Sequence, residues 1–144
     1  MRIRNELENS GYDVDLIERK TANNLDIEKV IKTIERSKLI IACLSASFEY
    51  EKICQFEIIY AKRIGKLILP LNVHAKYKPD YWVEEVFAGS RILECRLQTV
   101  KRDMIIFQRD ISLLIKIKQT SFENTNYEDT NNRTSQTSYT CSLL

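Results

Sequence analysis

An α/β sandwich built on a mainly parallel sheet is the fold class the sequence predicts, and three observations predict it. Lys38-Leu39-Ile40-Ile41-Ala42-Cys43-Leu44-Ser45 and Lys66-Leu67-Ile68-Leu69-Pro70-Leu71-Asn72-Val73 are unbroken apolar runs of strand length. A strand without polar alternation is one covered on both faces, which is the situation in a parallel sheet. Helical periods fill the intervals between strand candidates, and the strands begin roughly every 25 to 28 residues, the spacing of βαβ units.

Each element has its own local reason. Ile3 and Leu7 lie one helical turn apart and Gly11 closes that short helix. Tyr12-Asp13-Val14-Asp15-Leu16-Ile17 alternates as a half-buried strand does. Ile27, Val30, Ile31 and Ile34 follow the i, i+3, i+4, i+7 pattern, with Asn24 or Asp26 able to cap the helix. The segment from Glu49 to Ile64 reads as one helix ended by Gly65. Arg91 to Leu97 is a weaker fourth strand, and Met104, Phe107, Ile111, Leu114 and Ile115 give the last helix a single apolar face. A right-handed crossover needs a strand before the first helix, and none precedes it.

Composition bounds the function. The chain has 144 residues, 44% of them hydrophobic and 29% charged, which suits one globular domain. Its 22 basic and 20 acidic residues leave a formal charge of +2, too balanced for binding driven by phosphate neutralisation, so no nucleic acid is expected. The four cysteines, Cys43, Cys54, Cys95 and Cys141, form no C-x-x-C pair and share the chain with a single histidine, His74; a metal site is not expected. The first residues carry charge without an apolar segment behind them, so the sequence reads as cytoplasmic, with Cys43 as small core filling. From Gln119 to Leu144 the chain turns to Ser, Thr and Asn and is expected to be a disordered tail, leaving residues 1–118 as the folded domain.

One residue fits the pattern poorly. At 100° per residue, Tyr50, Ile53, Cys54, Glu57, Tyr60, Ala61 and Ile64 share a stripe of the helix, with Glu57 near its middle. A carboxylate facing a core is costly unless it is paired or hydrogen-bonded. Either the helix tilts Glu57 toward water or a nearby cation, or Glu57 is a functional carboxylate near the carboxyl edge of the sheet, where open α/β folds bind ligands.

The run Ser45 to Ala61, with Leu44-Ser45, the aromatics Phe48 and Tyr50, and Cys54-Gln55-Phe56-Glu57, followed by Gly65-Lys66-Leu67-Ile68-Leu69-Pro70, resembles Toll/interleukin receptor (TIR) domains. In that family an L-S pair, an aromatic and C-x-x-E open the third helix, and a k-x-I-x-P strand follows. Ile34-Glu35-Arg36-Ser37 and Lys76-Tyr77-Lys78-Pro79-Asp80-Tyr81-Trp82 are similar to two further stretches of the family, and the resemblance runs over roughly residues 3 to 118. It implies a flavodoxin-like three-layer sandwich with strands in the order B-A-C-D-E. On that map four strands are present and strand A is missing, so the chain reads as an N-terminally incomplete copy.

The resemblance also implies two functions. The first is a signal-transduction module that acts by homotypic contact with other TIR domains, including self-association through the BB loop, here Glu18, Arg19, Lys20, Thr21, Ala22, Asn23 and Asn24. The second is an NAD glycohydrolase in which Glu57 is the catalytic carboxylate and NAD is substrate rather than cofactor; an anion beside the ribose would stabilise the positive charge that builds as the nicotinamide bond breaks. Three departures weigh against the enzyme: the missing strand, Asp15-Leu16-Ile17-Glu18 where the family often has a Trp and then an Asp, and a BB loop lacking its customary Gly. Trp82 reads as a packing anchor and His74 as an exposed loop residue. Cys141-Ser142-Leu143-Leu144 matches short prenylation and PDZ-ligand patterns, but no polybasic run supports a membrane anchor.

Overall fold

A computed structural model describes residues 2–17, 26–96, 99–123 and 140–143. Helix α1 (Arg2–Asn9) leads into strand β1 (Asp13–Leu16), followed by α2 (Ile27–Arg36) and β2 (Leu39–Leu44). Two helices come next, α3 (Ala46–Tyr50) and α4 (Lys52–Arg63), then β3 (Leu67–Asn72), α5 (Tyr81–Val86) and β4 (Leu93–Glu94). The long α6 (Val100–Glu123) and a last strand, β5 (Thr140–Leu143), complete the described fold. All strand pairs are parallel and the sheet order is β1-β5-β2-β3-β4.

The α/β sandwich and the parallel sheet are thus as the residues predict. One strand beyond the four expected is described. Five strands stand in the sheet rather than four, because Thr140–Leu143 lies between β1 and β2. This strand comes from the segment expected to be a tail, and α6 runs to Glu123. Polar composition misled because a central strand gains its stability from backbone pairing on both edges, which composition does not report. Asp13, Val14, Asp15 and Leu16 are in register with residues 140 to 143, and Leu39, Ile40 and Ile41 with residues 141 to 143.

The resulting order is the 2-1-3-4-5 arrangement of flavodoxin-like sheets, with the position-1 strand supplied from the other end of the chain. Helix α1 turns back into β1 through residues 10 to 12 and so runs opposite to the strands. Its first turn therefore lies at the sheet edge where β5 ends.

Two helix layers cover the sheet. On one face α1 and α6 contribute Ile3, Leu7, Met104, Phe107 and Ile111, which pack on Val14, Leu39, Ile41, Leu69 and Leu71. On the other, α2 sets Val30 and Ile34 against Ile40. There α3, α4 and α5 set Phe48, Cys54, Ile58 and Val83 against Ala42 and Leu44. Alternate residues of β2 thus enter opposite cores, which is why its apolar run has no polar break.

Both glycine stops act through the same motif. Gly11 has φ 87° and Gly65 has φ 74°. Around Gly11, Tyr12 N–H donates to Leu7 O (3.1 Å) and Gly11 N–H to Glu8 O (3.0 Å). Around Gly65, Lys66 N–H donates to Ala61 O (2.9 Å) and Gly65 N–H to Lys62 O (3.0 Å). These paired bonds are Schellman caps, whose left-handed residue disfavours a Cβ.

Pro70 sits inside a strand without breaking the sheet. Cys95 N–H donates to Asn72 O (2.9 Å), so Asn72 faces β4, and Pro70, two residues earlier, faces the same way. β4 opposes only Leu71 and Asn72, so the missing N–H of Pro70 points where no strand waits for it. A proline at 141 to 143 has no such refuge, because those residues have a paired strand on both sides. Ser142→Pro should lower the unfolding free energy by about 2 kcal/mol, the scale of one buried unsatisfied group, in a urea titration. An unchanged midpoint would mean that β5 is not a sheet strand.

Candidate functional site

The helix expected over Glu49 to Ile64 is two helices. Ser45 caps α3, its Oγ accepting from Phe48 N–H at 3.2 Å. Glu51 then takes φ −83° and ψ 110°, which ends α3 and starts α4 one residue later. The break turns the buried stripe: Cys54, Glu57, Ile58 and Ala61 face inward, whereas Tyr50 on α3 is 82% exposed and Ile64 is 39% exposed.

Glu57 remains on the inward face and is fully enclosed, at 0% exposure. The alternative of a helix tilted to bring this side chain to water is therefore excluded. Its neighbours along α4, Cys54 and Ile58, belong to the core beneath Ala42 and Leu44. The seven BB-loop candidates, Glu18 to Asn24, lie outside the described residues.

A second polar group is organised at the carboxyl ends of β3 and β4. Asn72, the last residue of β3 and buried, donates from Nδ2 to Glu94 Oε1 (3.1 Å) and to Tyr77 O (3.4 Å), while its Oδ1 accepts from His74 N–H (3.1 Å). Glu49 then holds the segment leading into α5. It accepts from the Tyr77 hydroxyl at 3.0 Å and from Asp80 N–H, and its carbonyl accepts from Trp82 Nε1 at 3.1 Å. Trp82 stacks on Phe48 with ring centroids 6.0 Å apart, so it is the packing anchor expected of it. Burial and the bond to Glu49 hold the Tyr77 hydroxyl well above the usual phenol range, so it stays a donor. Sequence reasoning gave neither Glu49 nor Asn72 a role; for Asn72, a polar side chain closing an apolar strand run was the available signal.

Two clefts flank β4. One, of about 420 Å³, lies over Leu67, Ile68 and Leu69 where β4 has no pairing, and Arg91 meets Asp110 across it at 3.7 Å. The other, of about 290 Å³, is bordered by Glu94, Asp103, Ile106 and Phe107. Glu57 lines neither. No family model, curated protein or solved structure matches the chain.

The remaining candidates divide cleanly. His74 is exposed after β3. Cys43 has its thiol pushed up to about 12 by burial and by neighbouring Cys95, which suits core filling and disfavours a thiolate. Among the described residues no group of three or more His, Cys, Asp or Glu could hold a metal ion. Among the described residues no helix is long and apolar enough to cross a membrane. Cys141 to Leu143 form part of β5, where both edges of the segment are taken by strands; Leu144 lies outside the described residues.

Asp103 borders the smaller cleft and gives a pH-dependent term. Thr99 Oγ1 donates to its Oδ2 at 2.5 Å and Arg96 N–H at 3.2 Å, and these bonds, the Thr99 bond foremost, hold its carboxyl below the ordinary 3.8. A lowered folded pKa stabilises above the unfolded value, and that contribution disappears as pH falls through the folded one. In Thr99→Val, the Asp103 carboxyl should titrate closer to 3.8 by NMR, and the gain in stability between pH 2 and pH 5 should shrink. An unmoved titration would show that the Thr99 bond is not what lowers it.

Proposed function

We propose that the chain is a cytoplasmic TIR-type module that works by homotypic protein contact. The observation that carries the reading is positional. The C-x-x-E helix, with Glu57, follows the strand just past the switch in a 2-1-3-4-5 sheet, and Gly65 and the Pro70 strand come after it in the expected places. The tie between Glu49 and residues 77 to 82 supports it as well, since it joins the two stretches that carry the resemblance.

The full enclosure of Glu57 favours interaction over NAD cleavage. A carboxylate that stabilises an oxocarbenium-like ribose must reach it, and this one has no exposed surface and lines neither cleft beside β4. On this reading Glu57 is a structural acid of the core. Partners are other TIR domains, including further copies of this chain.

Light scattering over a concentration series is the test. The apparent mass should rise with concentration, and Lys20→Glu, in the BB-loop segment, should weaken association several-fold. A monomer throughout would contradict the proposal. Nicotinamide release from NAD that disappears in Glu57→Ala would replace it with the glycohydrolase reading.

A further inference from the structure

The place of β5 in the sheet is unusual in one respect. It is a central strand of four residues, yet the strand before it in sequence is β4, at the far edge of the sheet, with α6 between them. Residues 124 to 139, sixteen in number and mostly polar, separate it from the end of α6, a length that can span roughly 50 Å when extended. Its neighbours depend on it far more than it depends on them. Without it, the inner edges of β1 and of Leu39–Ile41 would face each other with unsatisfied N–H and C=O groups.

We propose that β5 is an exchangeable strand, and that the slot between β1 and β2 accepts the same segment from a second copy of the chain to give a strand-swapped dimer. The occupant follows from the register. A strand from another copy satisfies the same seven residue pairings, four with β1 and three with β2, so nothing in the sheet distinguishes it from the chain's own. Only the link differs. A link of sixteen residues holds its own strand at an effective concentration on the order of millimolar, so exchange becomes competitive as the protein approaches that range. When β5 leaves, the open slot is costly and closes on whichever copy of the strand is nearest. The proposal stands on sheet topology and does not need the TIR reading.

Val14 stands opposite Cys141 in the register, which gives a direct test in the full-length chain. Val14→Cys protein is refolded at about 10 μM and at about 1 mM, oxidised and separated by size. At the lower concentration the 14–141 disulfide should lie within one chain. At the higher, a dimer fraction at least tenfold larger should run as a covalent dimer until reduced. A dimer whose disulfides all lie within single chains, a monomer at both concentrations, or no 14–141 disulfide at all would each overturn the proposal. Because Val14 is a core residue, the unsubstituted chain supplies a second readout. Dimer formed by refolding at about 1 mM should outlast dilution for roughly an hour or more, since dissociation requires β5 to leave the sheet. Dimer lost on dilution within seconds would also overturn it.

Discussion

The structure depends on filling one gap. β1 and β2 present backbone donors and acceptors to each other across the width of a strand, and neither can turn to water without dismantling the packing of α1 and α6 above them. Residues 140 to 143 close that gap with backbone pairing on both sides. The doubly wound order follows: β5 restores the position-1 strand, β1 becomes an ordinary edge, and the reversal of strand order falls between β5 and β2. β2 extends three residues past its last pairing with β5, so Ala42 to Leu44 reach beyond the filled part of the slot, toward the edge where α3 begins.

The legible parts of this fold were those in which one local signal settled the outcome. The apolar run of β2 could only be a strand covered twice, and its alternate residues do enter two cores. Gly11 and Gly65 marked helix ends because their left-handed backbone admits the paired Schellman bonds. Thr140–Leu143 was illegible for the opposite reason. Nothing in a four-residue segment announces which strands it will join, and the Ser, Thr and Asn around it in sequence are the composition of a solvated tail. The break at Glu51 was hidden because the residues on both sides of it keep a helical period.

Glu57 was legible as an anomaly and only partly as chemistry. The helical stripe put it inward, and it is inward, but the break in the helix turned that stripe so that Ile58 rather than Tyr50 accompanies it. Enclosure of this acid changes its meaning: a group without exposed surface acts first on the protein around it. Glu49, by contrast, gave no signal in the sequence and proves to be the tie between α3 and the segment entering α5, because only the folded chain brings Tyr77, Asp80 and Trp82 to it.

Amide hydrogen exchange read at residues 140 to 143 tests the central claim most directly. If these residues fill the gap, their protection should match that of Leu39 to Ile41, since the strands open together. Exchange at the rate of an unstructured peptide, while Leu39 to Ile41 stay protected, would contradict the account and require another partner for the inner edges of β1 and β2.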